Sequence, residues 1–264
     1  MQKTININEL HSLLLEEAKI IHRILCDNDV PYYMLGGTML GAIRHSGFIP
    51  WDDDIDFGIK RVDFAKAYDV LKNNLPKQYR IRTLLNSDSI CSEILKIENT
   101  NTIIEEKGIT SPNSQIGINI DIFPLDETNN QFHFPHTLFF LQKLHKLNYE
   151  VLIRKSGLLY TLGSVFTKRF GRDFYCRIIK KILTKQKGDY ISNFYGAWLQ
   201  RETVSKEVMG QPVLYNFEDT QLYGVSRPHD YLSSLYGDYM VLPSEGQRHL
   251  HILNMYYRDD LYEE

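Results

Sequence analysis

Four aspartates crowd one short stretch of the chain, the run WDDDID at residues 51–56. Carboxylates this close repel one another strongly unless a cation offsets their charge. Polar and apolar residues alternate over residues 54–59, which predicts a strand with one buried face. Because side chains two apart in a strand point to the same face, we expect Asp54 and Asp56 to lie side by side. Two hard oxygen donors in that arrangement indicate a site for Mg2+ or Mn2+.

A third carboxylate is predicted from a later strand. Isoleucines at alternate positions, followed by Pro124, predict a strand over residues 116–123 with Asp121 on its polar face. On its own, Asp121 fits an ordinary exposed strand residue. If the two strands are neighbours, its carboxylate would complete a site at which two metal ions act on a phosphate group.

A glycine pair, Gly36 and Gly37, separates a predicted strand over residues 30–35 from a predicted short helix over residues 38–44. Thr38 is in position to cap that helix, because its hydroxyl oxygen can accept a hydrogen bond from an unpaired backbone N–H. Glycines let the backbone approach a ligand closely, and a helix N-terminus offers free N–H groups. The turn is therefore a candidate phosphate cradle, although most Gly-Gly-Thr turns are only turns.

Arg44 and His45 follow at the end of the same predicted helix, within reach of a phosphate held at the turn. An arginine near acidic residues also commonly forms a structural salt bridge, so the sequence leaves both roles open. We treat both residues as candidate substrate-binding residues.

The rest of the pattern predicts an α+β fold, with a mixed sheet flanked by helices over residues 1–132. An amphipathic helix is expected at the N-terminus, because leucines and isoleucines recur there at helical spacing between charged residues. A second helix and two further strands are expected between the two aspartate-bearing strands. The predicted elements cover residues 7–28 and 63–75 as helices, and residues 79–84 and 92–98 as strands.

Residues 133–264 are predicted to pack on this core as one continuous unit, with a basic helical segment followed by an irregular C-terminal region. Between residues 133 and 188 the chain has twelve Lys or Arg against two acidic residues, although its overall net charge is -3. Such a segment is typical of a solvated helical face. It equally suits an anionic partner such as a phosphorylated glycan, a nucleotide or a membrane surface.

Composition and the N-terminus set expectations for location. Hydrophobic residues make up 43% of the chain and charged residues 24%, which excludes a disordered or fibrous protein. Three widely spaced cysteines predict neither a disulfide framework nor a metal site, which suits a reducing compartment. No export signal is recognisable, and the apolar stretch over residues 156–167 is far shorter than the roughly 20 residues of a bilayer crossing. We expect a cytoplasmic protein that contacts a membrane only peripherally.

Three blocks of this sequence resemble those of the LicD family, which includes bacterial phosphocholine transferases and relatives of the human fukutin-related protein. The first and most specific is LGGTMLGAIRHSGFIPWDDDIDFGI, over residues 35–59. The others are IDIFPLD, over residues 120–126, and LYGDYMVLP, over residues 235–243. The resemblance therefore extends over most of the chain.

This resemblance implies a nucleotidyltransferase-like core that splits a diphosphonucleotide alcohol and moves the phospho-alcohol to a sugar hydroxyl. It implies that Gly37 and Thr38 belong to the phosphate turn. It also implies that Asp54, Asp56 and Asp121 bind the metal. Asp52 and Asp53 would then support these ligands without contacting the metal, or have a purely structural role. The cysteine-rich zinc element of the human relatives is not evident here, so we expect no zinc.

The leading hypothesis is transfer of phosphocholine from CDP-choline to a bacterial surface glycan such as lipooligosaccharide, with release of CMP. The basic segment would then hold a lipid-linked or phosphorylated acceptor at the inner membrane face, and no nucleic acid is expected as a partner. Trp51, Tyr236 or Tyr239 could face a quaternary ammonium group through its aromatic ring. Two alternatives remain open: a nucleotidyltransferase that moves a nucleoside monophosphate, and a non-catalytic module that binds membrane surfaces.

Overall fold

A computed structural model shows an α+β fold built on a mixed sheet, which confirms the predicted class. It describes residues 3–87, 90–106, 116–129, 143–145, 158–171, 173–244, 246 and 252–258. Within these residues, the central strands run in the order β1-β2-β6-β4-β3, and β7 and β8 extend the sheet beyond the end of β6. The strands are β1 Tyr33–Met34, β2 Asp56–Lys60, β3 Tyr79–Arg82, β4 Leu95–Asn99, β5 Thr102–Glu106, β6 Asn119–Thr128, β7 Tyr190–Ser192, β8 Thr203–Ser205, β9 Val213–Phe217, β10 Thr220–Gly224 and β11 Ile252–Tyr257.

Helices flank this sheet and share one hydrophobic core with its strands. The first helix begins with a capping box, in which the side chain of Asn6 accepts from the backbone of Glu9 and the Glu9 side chain accepts from the backbone of Asn6. None of the described helices is both long enough and apolar enough to cross a bilayer. The helices are α1 Ile7–Asp27, α2 Gly36–His45, α3 Arg61–Asn74, α4 Leu158–Phe170, α5 Phe174–Leu183, α6 Lys206–Met209 and α7 Pro228–Tyr236, with a 3-10 turn at Leu199–Glu202.

The two aspartate-bearing strands, β2 and β6, are parallel neighbours at the centre of the sheet. Asp56 lies opposite Asp121 in their register, and Lys96 of β4 lies opposite Asp121 on the other side. Partners in register lie on the same face of a sheet, so these three side chains form one row across three strands. The predicted adjacency of the two carboxylate-bearing strands is therefore confirmed.

The prediction that Pro124 closes its strand is wrong, because β6 continues to Thr128. Proline has no N–H to donate, so it is tolerated only where no neighbouring strand needs that bond. On one side of β6, pairing with β4 ends at Ile122, and pairing with β7 begins at Asp126. Since the Asp121 N–H points toward β2, the missing N–H of Pro124 falls on the opposite side, in the gap between β4 and β7.

The C-terminal region is more regular than predicted. It contains the β9–β10 hairpin, helix α7, and strand β11, which pairs with β5 of the core. Helices α4 and α5 confirm helical structure in part of the basic segment, whereas residues 130–142 and 146–157 lie outside the described residues. The predicted boundary after residue 132 falls there too, and it stays a prediction.

Two ion-pair networks hold the polar ends of the central strands. Glu98 of β4 is fully buried and pairs with Arg80 and Arg82 of β3. At the far end of β6, Asp126 accepts two hydrogen bonds from Arg61 of α3, at 2.8 and 2.7 Å. A buried carboxylate is tolerated only when it is paired in this way, so both networks fix the strand positions on which the candidate site depends.

Candidate active site

Helix α2 begins beside the acidic run, and its first residues connect it to β2. The prediction that Thr38 caps this helix is wrong, because the helix starts two residues earlier, with Leu35 at the capping position and no capping side chain. Thr38 lies inside the first turn, where its hydroxyl oxygen accepts a hydrogen bond from the backbone N–H of Asp56, at 2.8 Å. Thr38 therefore positions the start of β2.

The glycine pair lets other groups approach the helix start closely. Gly36 adopts a φ of +48°, a conformation that favours glycine, and its N–H donates to the hydroxyl of Tyr231 at 3.1 Å. A Cβ atom at Gly37 would lie only 2.6 Å from a carboxylate oxygen of Asp52. The helix N-terminus thus already faces the chain's own carboxylate, and phosphate binding by Gly36, Gly37 and Thr38 stays a prediction.

Asp56, the first residue of β2, lies among four other carboxylates. Burial raises the pKa of its carboxyl well above the usual range, and four negative charges raise it further, in the order Asp54, Asp121, Asp52 and Glu202. β2 starts at Asp56, two residues later than predicted, so Asp54 precedes it. Asp54 and Asp56 nevertheless alternate with the buried residues Asp53, Ile55 and Phe57, and their shared face stays a prediction. The charge of Asp54 acts on Asp56 more strongly than that of Asp121 does.

The remaining acids of the run are held by backbone contacts. Asp53 is 3% exposed and accepts a hydrogen bond from the N–H of Ile252 in β11, at 2.8 Å. The carbonyl oxygen of Asp52 accepts from the imidazole of His11 in α1, at 2.7 Å, and that ring stacks on Phe48. Contacts from α1 and β11 thus fix the backbone of the run on both sides.

Lys96 is the residue of the site that the sequence reasoning missed. Its ammonium group donates to both carboxylate oxygens of Asp121, at 2.7 and 2.8 Å, and to the side-chain oxygen of Asn119 at 3.1 Å. A signal was present in the sequence, since Lys96 alternates with isoleucine and leucine in the strand predicted over residues 92–98.

Arg44 and His45 contact each other and the tail of the chain. The Arg44 guanidinium donates to the His45 ring at 2.9 Å and to the backbone carbonyl of Tyr239 at 2.7 Å. Burial lowers the pKa of His45, and the positive charge of Arg44 lowers it further. Trp51 stands edge-on to His45, with ring centroids 6.5 Å apart. These contacts are structural, and the substrate-binding roles of the three residues stay predictions.

Tyr236 of α7 lies beside the acidic cluster, and Trp198, just before the 3-10 turn, packs against it. A Cβ atom at Gly36 would lie 3.6 Å from a carboxylate oxygen of Asp56 and 3.7 Å from the hydroxyl of Tyr236. Burial raises the pKa of Tyr236, and the charges of Asp56 and Asp52 raise it further. The ring of Trp198 packs edge-on against Tyr236, with centroids 5.4 Å apart, and is 44% exposed. Tyr239, by contrast, is buried, with its hydroxyl next to His229. Of the tyrosines suggested by the sequence, Tyr236 therefore lies at the site.

The donor set of this cluster suits a divalent metal ion. Carboxylate oxygens of Asp52, Asp53 and Asp54 lie within 4.8 Å of one another, and Asp56 and Asp121 are register partners beside them. All are hard oxygen donors of the kind that Mg2+ and Mn2+ prefer. The residues present therefore fit such an ion, while the ligand set of Asp54, Asp56 and Asp121 stays a prediction.

Comparison with known proteins identifies the same part of the chain. Residues 29–153 match a family model described as "LicD/FKTN/FKRP, nucleotidyltransferase domain". The matched range contains helix α2, the acidic run, Lys96 and Asp121. The mixed sheet flanked by helices agrees with the fold expected for such a domain.

One relative matches the chain from end to end. The lipopolysaccharide cholinephosphotransferase LicD of Haemophilus influenzae is 28% identical over 96% of this chain and 99% of its own length. A shorter part of the chain is similar to the human ribitol 5-phosphate transferase FKRP, with 46% identity over 20% of this chain and 11% of that protein. An uncharacterized protein of Rickettsia typhi is 38% identical over 30% of this chain and 26% of its own length.

Proposed function

The chain belongs to the LicD family, and from this premise we propose that it transfers phosphocholine from CDP-choline to a sugar hydroxyl of a bacterial surface glycan, with release of CMP. In this reaction the hydroxyl oxygen attacks the phosphorus that bears choline. The bond from that phosphorus to the bridging oxygen breaks, CMP leaves with the bridging oxygen, and the hydroxyl proton passes to a base. Each phosphocholine transferred therefore yields one CMP.

Different residues of the chain would bind the metal, position the ligands and accept the proton. Asp54, Asp56 and Asp121 would hold Mg2+ or Mn2+, which would offset the charge of the diphosphate and orient it for in-line attack. Thr38 keeps Asp56 in place through the hydrogen bond to its backbone. Asp121 is the candidate base for the acceptor hydroxyl, because it borders the cluster from a separate strand.

The observation that carries the proposal is the register of Asp56 and Asp121 on adjacent strands, inside the region that matches the family model. The direct test is to incubate the protein with Mn2+ or Mg2+, a lipooligosaccharide acceptor and a panel of CDP-choline, CDP-ethanolamine and CDP-ribitol. We expect CMP to accumulate with CDP-choline only when acceptor is present. If CMP is released from CDP-ethanolamine or CDP-ribitol and not from CDP-choline, the proposed type of reaction stands and the transferred alcohol is not choline.

A nucleotidyltransferase is the second candidate, favoured by the description of the matching family domain. Such an enzyme would use a nucleoside triphosphate and release pyrophosphate. Supplying CTP and phosphocholine and measuring pyrophosphate separates it from the proposed transferase. A non-catalytic module, the third alternative, would release neither CMP nor pyrophosphate in these assays.

We propose that Trp198 and Tyr236 recognise the positive charge of choline. The Arg201 guanidinium lies 5.8 Å from the centroid of the Trp198 ring, so choline would compete with it for that ring. A quaternary ammonium over an indole ring gains about 0.5 to 2 kcal/mol, which corresponds to roughly 2- to 30-fold in affinity. We expect Trp198→Leu to raise the KM for CDP-choline by about that factor and to leave the KM for CDP-ribitol, whose alcohol is uncharged, nearly unchanged. Steady-state CMP release with both donors measures the difference.

The chain's other tryptophan provides the matched comparison. Trp51→Leu removes the same type of ring from the acidic run, where the sequence alone suggested a choline contact. If Trp51→Leu produces the donor-selective effect and Trp198→Leu does not, the choline site lies beside Trp51. An equal effect of Trp198→Leu on both donors would mean that this ring only packs against Tyr236.

The acceptor side of the proposal rests on helices α4 and α5. Phe166 and Phe170 are 45% and 47% exposed, and their rings stack in series with Phe174. Exposed basic residues lie on the same two helices or just after them, at Lys168, Arg169, Lys181 and Lys185, and the Arg169 guanidinium lies over the Phe170 ring. Apolar rings among cations match an anionic lipid surface. We name this set the α4–α5 surface and propose that it holds the enzyme against a membrane that carries the lipid-linked acceptor.

Neutralising the α4–α5 surface should weaken membrane binding without slowing the chemistry. At roughly 1 kcal/mol per cation, the variant K168Q/K181Q/K185Q should lose up to about 100-fold in affinity for vesicles rich in phosphatidylglycerol. Lys180 is left unchanged because it pairs with Glu93. Vesicle sedimentation at low and physiological salt measures the loss, which salt should diminish because it screens exposed charges.

The control carries the same change of charge elsewhere, as K66Q/K72Q/K77Q at three exposed lysines. It should bind vesicles almost as the wild type does. If both triple variants lose affinity equally, the attraction is a general effect of net charge, and the α4–α5 surface has no special role.

A further inference from the structure

Lys96 contacts the carboxylate oxygens of Asp121, which would face the ion if Asp121 were a metal ligand. Its ammonium group donates to both oxygens of Asp121, and only about one-fifth of each side chain is exposed. Asp121 in turn lies beside Asp56 in the register of β2 and β6. The row therefore runs from a crowded group of carboxylates directly to a single lysine cation.

A divalent ion and Lys96 would compete for Asp121. The ammonium uses one lone pair of each Asp121 oxygen and leaves a second one on each, so the competition is one of charge. Two cations within a few ångströms repel each other strongly at a partly buried site. An ion that takes Asp121 as a ligand therefore drives the ammonium group toward another anionic partner.

We propose that Lys96 transfers its contact from Asp121 to the diphosphate of the donor when the metal ion binds, and so couples the two binding events. A lysine suits this task because its ammonium is a compact charge on a flexible four-carbon stem. The inference rests on the proposed function only for the class of donor, a nucleoside diphosphate ester. It makes Lys96 a donor-binding residue that also limits metal binding.

The coupling has a definite sign. Without nucleotide, Lys96 opposes the ion, so the ion binds weakly. With a diphosphate present, the lysine gains a new partner and its opposition falls, so metal and nucleotide each strengthen the binding of the other by the same factor. Removal of the lysine should therefore tighten metal binding and weaken nucleotide binding at once, which a purely structural ion pair would not do.

Mn2+ binding followed by electron paramagnetic resonance, with CDP as a non-reacting diphosphate, tests this directly. We expect Lys96→Gln to bind Mn2+ alone about 10-fold more tightly than wild type, and to bind CDP with saturating Mn2+ about 10-fold more weakly, within the usual range of coupling between sites. Lys96→Arg keeps the charge and should retain weak Mn2+ binding. Lys72→Gln, at an exposed lysine of α3, should change neither affinity.

Unchanged or weaker Mn2+ binding in Lys96→Gln would overturn the proposal, as would unchanged CDP binding. Absence of Mn2+ binding in the wild type would overturn it too. If Lys96→Gln fails to fold in a thermal unfolding control, Lys96→Arg decides: Mn2+ binding much tighter than in wild type would contradict competition by charge. No acceptor or turnover is involved, so a chain that shows this coupling yet releases no CMP would lose the proposed function and keep the role of Lys96.

Discussion

Asp56→Asn is expected to reduce CMP release by at least about 1000-fold while leaving the protein as stable as the wild type or more so. The activity falls because one full ligand charge leaves the metal site, an effect of several kcal/mol. The stability holds because burial and four neighbouring carboxylates already disfavour the charged form of Asp56 and raise its pKa. Loss of activity without loss of stability is the pattern of a residue retained for function.

Two measurements check this expectation: CMP release over a wide range of Mn2+ concentrations, and the Tm with and without Mn2+. Mn2+ should raise the Tm of the wild type, because a ligand that binds only the folded state stabilises it. The shift should shrink in Asp56→Asn. Near-normal turnover of this variant at saturating Mn2+ would remove Asp56 from the metal site.

Asp53→Asn makes the same chemical change three residues earlier and serves as the matched control. Its carboxylate is buried and accepts from the backbone of Ile252, and an asparagine keeps one oxygen able to accept that bond. We expect the turnover of this variant to stay within about 10-fold of wild type, with a lower Tm from the weakened charge-assisted bond. Equal loss in both variants would indicate that the run acts as a single charge cluster.

Much of the fold could be predicted because local periodicity and burial agree there. Helices α1 and α3 and strands β3 and β4 lie close to their predicted bounds. The polar faces that carry Asp56 and Asp121 also followed from the sequence, since buried residues alternate with them on each strand. That the two strands are neighbours was a hypothesis, which their register confirms.

The errors arise where tertiary contacts decide the local structure. The Thr38 side chain could cap a helix, but its hydroxyl oxygen instead accepts a hydrogen bond from the N–H of Asp56 in β2. Pro124 ends a strand by its own chemistry, yet here it falls in a gap between two neighbouring strands. Lys96 was missed for a related reason, because its partner Asp121 lies 25 residues later in the chain, on a different strand.

Asp121→Asn is expected to slow transfer by roughly 100- to 10,000-fold, the usual contribution of a general base, while the affinity for CDP-choline changes far less. A loss of this kind appears in kcat more than in KM, because the base acts mainly in the transition state. Steady-state CMP release at varied CDP-choline and saturating acceptor measures both constants. A variant with normal kcat and a raised KM would contradict the assignment.

The contacts of the two candidate bases bear on the same question. Asp121 becomes a good proton acceptor only after Lys96 leaves its oxygens, so ion binding and base activation belong to one event in the proposed scheme. His45, the alternative, is kept neutral because burial and Arg44 lower its pKa. Its Nε2 atom already accepts from the Arg44 guanidinium, so the other ring nitrogen carries the proton, and neither nitrogen is open to receive another.

Metal titration of Asp121→Asn separates a base from a ligand. If Asp121 only binds the ion, excess Mn2+ should restore turnover, because the lost affinity is recovered by mass action. If Asp121 also takes the proton, saturating Mn2+ should fill the site, as spin resonance would report, and turnover should stay low. Rescue by Mn2+ would therefore defeat the base assignment. In that case a His45→Gln variant that loses kcat in the same assay would transfer the role to the imidazole, which must then first break its bond with Arg44.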